Sequence, residues 1–113
     1  MKAAVLLLTL AASSAQAQFI DGNELLTRMG GSPAQVNNSI GYIMGVADAH
    51  LNGAWCPPPN VTGRQVFDLT KGILEAVPEK RHENASAFVI AAVKMTFPCK
   101  PKQDVKPAKG AML

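Results

Sequence analysis

The chain has 113 residues, of which 48% are apolar and 17% charged, with a formal net charge of +3. That length supplies one small core and not two, and the chain is too apolar to stay disordered. Residues 18–99 carry six Lys/Arg against seven Asp/Glu and residues 100–113 carry four Lys and one Asp, so the body lacks the dense basic face that nucleic-acid recognition needs.

In chain order, Met1-Lys2 precedes an apolar run from Ala3 to Ala12, followed by Ser13-Ser14 and Ala15-Gln16-Ala17. A basic start, a ten-residue apolar stretch and a small-x-small site read as a secretory signal peptide cleaved after Ala17. Ten apolar residues are too few to cross a bilayer, so no membrane anchor is expected. No Cys follows the cleavage site to carry a lipid. The expected organisation is a leader over 1–17, a helical domain over 18–99 and a basic, flexible tail over 100–113.

Asp21 with Glu24 three residues on is a capping-box pattern, and it predicts a short first helix that ends at Gly30-Gly31. Ser32-Pro33 opens a second helix that is expected to run to about Asn52-Gly53. Its apolar arc contains Val36, Ile40, Ile43, Ala47 and Leu51, and His50 at the edge of the arc reads as a packed core histidine. Gly41, Gly45 and Ala49 form a row of small residues on the other side. Glycine inside a helix costs about 1 kcal/mol against Ala, so the row points to close approach of another backbone. That backbone is either a helix of the same chain or a second subunit.

Trp55-Cys56-Pro57-Pro58-Pro59-Asn60 is a rigid linker, because three prolines forbid helix. A third helix is expected from Thr62 to Val77, with Val66, Phe67, Leu69, Ile73, Leu74 and Val77 on its apolar face and Asp68, Lys71 and Glu75 opposite. Pro78, Glu79, Lys80, Arg81, His82 and Glu83 form the most charged stretch, which on its own reads as a solvated loop. The fourth helix, about Asn84 to Phe97, is apolar almost all round. Such a helix is buried on most sides, either centrally or in a dimer interface. Pro98 ends it. No strand-like alternation and no repeat interrupt this series. The expected fold is all-α, a small bundle of about four helices with one disulfide.

Cys56 and Cys99 belong to a chain addressed to an oxidising compartment, which favours a disulfide over metal ligation. His50 and His82 are isolated and do not complete a ligand set. The bridge would join the outer ends of helices three and four and support an antiparallel hairpin. It would close a loop of 44 residues, worth about 4 kcal/mol in a loop-entropy description.

The search for chemistry is negative. Oxidised cysteines cannot act as thiolates, and the sequence has no phosphate-binding Gly loop, no His-Glu-x-x-His and no Gly-x-Ser-x-Gly. Three Asn-x-Ser/Thr triplets, at Asn37, Asn60 and Asn84, are weak signals of glycosylation. The reading is a binding protein and not an enzyme, with no cofactor and no metal.

Several segments occur together in a familiar order: residues 19–26 (Phe-Ile-Asp-Gly-Asn-Glu-Leu-Leu), 41–49, Cys56-Pro57-Pro58, Val61-Thr62-x-x-Gln65, Pro78-Glu79-Lys80-Arg81-His82 and Phe97-Pro98-Cys99. This set resembles the Rap/Tai-type immunity proteins, which protect bacteria from type VI secretion amidase effectors. The resemblance implies a periplasmic, all-helical, disulfide-bonded homodimer that binds a peptidoglycan amidase. It also implies a protruding loop that blocks the Cys-His cleft of that enzyme, and residues 78–83 are the matching segment. Arg81 and His82, flanked by Glu79 and Glu83, are the expected charge-assisted contacts, on a backbone held by the disulfide. The competing reading is a small acid-stress periplasmic chaperone, or a generic periplasmic binding protein. A chaperone of that kind would expose apolar faces when its carboxylates are protonated.

Overall fold

Side-chain caps set where three of the four helices begin. The computed structural model describes residues 19–100. The expected leader and the tail beyond Lys100 lie outside the described residues. The elements are α1 (Gly22–Met29), α2 (Pro33–Ala49), α3 (Gly63–Ala76), a 3-10 turn (Pro78–Lys80) and α4 (Ala85–Thr96). Among the described residues there are four α-helices and no named strand, as the periodicity predicts.

Asp21 caps α1 by accepting the Glu24 N–H at 2.8 Å. Only half of the expected capping box forms, because the Glu24 carboxylate pairs with Arg28 one turn on, at 2.6 Å. Ile20, just before the cap, packs onto the core that Leu25 enters, which is the placement of a hydrophobic staple. Ser32 with Gln35 and Thr62 with Gln65 form complete boxes at the starts of α2 and α3.

Helix α2 stops at Ala49, short of the expected Asn52-Gly53, with His50 as its C-cap. The chain turns back there through Asn52, whose φ is 62°. The turn brings Trp55 into the core, where its indole N–H donates to the Ala47 carbonyl at 2.7 Å. Leu51 and His50 are therefore outside the apolar arc and exposed. Burying the larger indole, with its N–H satisfied, outweighs burying Leu51.

Leu25, Ile43, Val66, Phe67, Leu74, Val89 and Val93 make the centre of the core. Thr70 is also fully buried, a polar residue in helical register with Val66, Phe67 and Leu74 on the inward face of α3. Its hydroxyl donates to the Val66 carbonyl one turn back at 2.9 Å, so this buried hydroxyl is satisfied. The Arg64 guanidinium carbon lies 4.6 Å from the centroid of the Phe67 ring. Tyr42 on α2 is half-buried. Burial pushes its hydroxyl above the usual range, while hydrogen bonding to Ser86 on α4 pulls the other way.

Helix α4 is not buried all round. Ala85, Phe88, Val89, Ala92 and Val93 face inward, whereas Ala87, Lys94 and Met95 are exposed. It packs against α3, α2 and α1, but Met95 stays exposed, so the other helices of the chain do not enclose it.

Helices α3 and α4 form the expected hairpin. At its open end Cys56 and Cys99 are bonded, with Cα atoms 4.7 Å apart. The Cys56 N–H donates to the Phe97 carbonyl at 2.9 Å, and the Trp55 and Phe97 rings pack 6.1 Å apart.

Candidate partner-binding tip

The other end of the hairpin carries residues 78–83. The α3 helix ends at Val77, and Pro78 starts a single 3-10 turn. Within the turn the Lys80 N–H donates to the Val77 carbonyl and the Glu83 N–H to the Lys80 carbonyl, both at 3.0 Å. The expected solvated loop is thus an ordered tip.

Most of that order comes from α1. The first amides of any helix have no partner within the helix, and here they are spent on the tip. The Gly22 N–H donates to the Glu83 carbonyl and the Asn23 N–H to the Arg81 carbonyl, each at 2.9 Å. The third amide, Glu24, goes to the Asp21 cap. In return, the Ala85 N–H at the start of α4 donates to the Ile20 carbonyl at 2.9 Å, and Asp21 and Asn84 pair as an isolated antiparallel bridge. Asn84 makes no side-chain cap, and this backbone pairing takes its place.

Gly22 is buried beneath the tip. A Cβ on it would lie 2.8 Å from Phe88 Cε2 and 2.9 Å from both the Arg81 carbonyl oxygen and Leu74 Cδ2. Only glycine lets α1 approach this closely.

The restraint on the tip is therefore not the one the sequence suggests. The disulfide lies at the far end of a 14-residue helix, about 21 Å away at 1.5 Å per residue. It fixes the base of the hairpin, and α1 fixes the tip.

Of the six tip residues, Pro78, Glu79, Lys80, His82 and Glu83 are exposed. Arg81 differs, being half-buried, and its Nε is buried without a hydrogen-bond partner. The side chains presented to solvent are thus an alternation of acid and base with an imidazole among them. Sequence reasoning missed the corner formed by Asp21, Gly22 and Asn23. Its signal was a glycine at the first helical position, where it brings no helix propensity.

Gly41, Gly45 and Ala49 are exposed on the outer face of α2. A Cβ at either glycine would meet nothing within 4 Å, so packing against another helix of the same chain is not the reason for them. Gly41→Ala and Gly45→Ala are expected to raise the stability of the isolated subunit, each by up to about 1 kcal/mol. Thermal melts at low protein concentration check this.

Elsewhere, a shallow cavity of about 370 Å³ lies between α3 and the end of α4, lined by Gln65, Asp68, Leu69, Thr96 and Phe97. It offers no Cys, His or Lys. Among the described residues no three His, Cys, Asp or Glu side chains group as metal ligands, and no helix is long and apolar enough to cross a membrane.

An all-α domain closed by a disulfide at one end, with an ordered charged tip at the other, defines the structural class. The family model of the Rap1a immunity proteins matches residues 21–99, and the chain belongs to that family. It is an immunity protein, of a kind that binds a cognate effector protein. No curated protein matches the chain.

Proposed function

We propose that this immunity protein is exported to the periplasm, where it inhibits a peptidoglycan amidase effector of type VI secretion by steric occlusion. The tip at 78–83 enters the concave active-site cleft, and the exposed Lys80, His82 and Glu83 make charge-assisted contacts at its walls. No chemistry is required of the inhibitor. The observation that carries this reading is the anchoring of the tip backbone by the Gly22 and Asn23 amides. A loop ordered before binding loses little conformational entropy on docking.

The outer face of α2 at Gly41, Gly45 and Ala49 is assigned to a homodimer contact, where small residues allow two backbones to approach. The chaperone reading has less support. The two ion pairs among the described residues, Glu24–Arg28 and Asp68–Arg64, each lie within one helix and are exposed. Protonating these carboxylates releases no packed face.

The test uses the cognate effector, sought as a secreted amidase encoded near this chain's gene, and its hydrolysis of purified peptidoglycan. The protein should inhibit at equimolar ratio. Replacing Lys80, His82 and Glu83 together by serine should weaken inhibition by about 100-fold, in line with the loss of a small cluster of central contacts. The melting temperature should stay unchanged, because all three side chains are exposed. Full inhibition by this variant would remove the tip from the mechanism.

A further inference from the structure

We propose that Asn23 is a positioning residue for inhibition, acting through its backbone amide, so that α1 sets the pose in which the tip meets the effector. This rests on the reading of residues 78–83 as the inhibitory element.

The connection between α3 and α4 has little else to hold it. Within it, two backbone hydrogen bonds each span three residues, and neither reaches another element. Among the described residues, the ion pairs lie on α1 and α3 and not in the tip. The Arg81 Nε has no partner. What fixes the middle of the tip to the rest of the molecule is the bond from the Asn23 N–H to the Arg81 carbonyl at 2.9 Å. The Gly22 N–H bond to Glu83 holds the tip's far edge.

The Asp21 cap is part of this arrangement. By taking the Glu24 amide at 2.8 Å, it leaves the two preceding amides aimed outward. Those amides carry the partial positive charge of the helix N-terminus, which favours the carbonyl oxygens they meet.

The position permits an unusually clean test. Proline is tolerated in the first turn of a helix, where its missing N–H has no intrahelical partner. Gly22 ahead of it relieves the steric restriction on the preceding residue. Asn23→Pro thus removes one hydrogen bond to the tip and sets its ring Cδ where the Arg81 carbonyl oxygen now lies, 2.9 Å from the Asn23 nitrogen. The tip must then move off α1, while the α1 ladder stays intact. Asn23→Ala keeps the amide and serves as the conservative control, since the Asn23 side chain is exposed.

The readout is amide hydrogen exchange by mass spectrometry on the disulfide-bonded protein, which requires no partner. Asn23→Pro should accelerate exchange of the amides of residues 79–84 by at least about 10-fold, the loss of one ordinary hydrogen bond together with the displacement of the Arg81 carbonyl. Exchange in α2 and α4 should be unchanged, and Asn23→Ala should match the wild type. A merely structural role would instead accelerate every helix together. Inhibition of the cognate effector should weaken to the extent that the displaced carbonyl depopulates the binding-competent pose, reaching tenfold where that pose is held about one-tenth of the time.

Unchanged exchange at 79–84, or an equal rise throughout, overturns the proposal. So does full inhibition by Asn23→Pro when the Lys80, His82 and Glu83 triple variant is weakened. If the triple variant inhibits fully, the inhibitory reading of the tip fails, and with it the positioning role, even where exchange shows α1 ordering the tip.

Discussion

Replacing Cys56 and Cys99 together by alanine should lower stability by about 4 kcal/mol, a large share of the roughly 5–15 kcal/mol that small domains have. The cysteines are 43 residues apart, so the bridge removes much freedom from the unfolded chain. In the folded chain the same ends are also joined by the Cys56 N–H to Phe97 bond and by the Trp55–Phe97 contact. The native geometry therefore has reason to survive the substitution, and the effect falls on the unfolded state. A loss of this size corresponds to a fall in melting temperature of about 20 °C, read by circular dichroism. Because the tip is held by α1, the double variant should still inhibit the effector when assayed well below its new melting temperature. A small thermal shift would mean that the unfolded chain is already restrained without the bridge.

Gly22→Val should be the most damaging single substitution at the corner, at about 3 kcal/mol, the upper part of the range for overpacking. Even a Cβ there meets Phe88, Leu74 and the Arg81 carbonyl below 3.0 Å. One of these is backbone, which cannot rotate away. Relief requires α1 to lift from the tip, and that lengthens the two hydrogen bonds holding it. Denaturant unfolding gives the stability change, with the slope expected to stay constant. The contrast with Gly41 and Gly45 makes the argument specific. In the isolated subunit the same added carbon is destabilising where backbone closes on it and stabilising where it projects into open space.

Much of the fold was legible because caps and breakers act locally. Asp21, Ser32 and Thr62 place the helix starts, and Pro98 follows the end of α4. The cysteines flank one predicted hairpin, so its base could be anticipated. The failures share a cause, which is that local pattern does not report where a backbone amide or a helix face finds its partner. Leu51 fits the α2 arc by angle, yet Trp55 returns to the core and ends the helix first. The apolar composition of α4 suggests burial on most sides, but within the chain Ala87, Lys94 and Met95 stay exposed. Gly41 and Gly45 invite an internal neighbour that the four helices do not supply. The charged run at 78–83 reads as solvated because its side chains are. Its carbonyls meet amides from α1, nearly 60 residues earlier in the chain, and no spacing rule encodes that.

The most direct measurement is a nuclear magnetic resonance titration of the isotope-labelled protein with its cognate effector. The amide signals of residues 79–83 should shift or broaden first and most, followed by those of Gly22 and Asn23, which carry the tip. Signals from the exposed face of α2 around Gly41 and Gly45 should keep their positions. Perturbation centred on α2, or on the Gln65, Asp68 and Phe97 cavity, with the tip unaffected, would contradict inhibition by a pre-ordered tip.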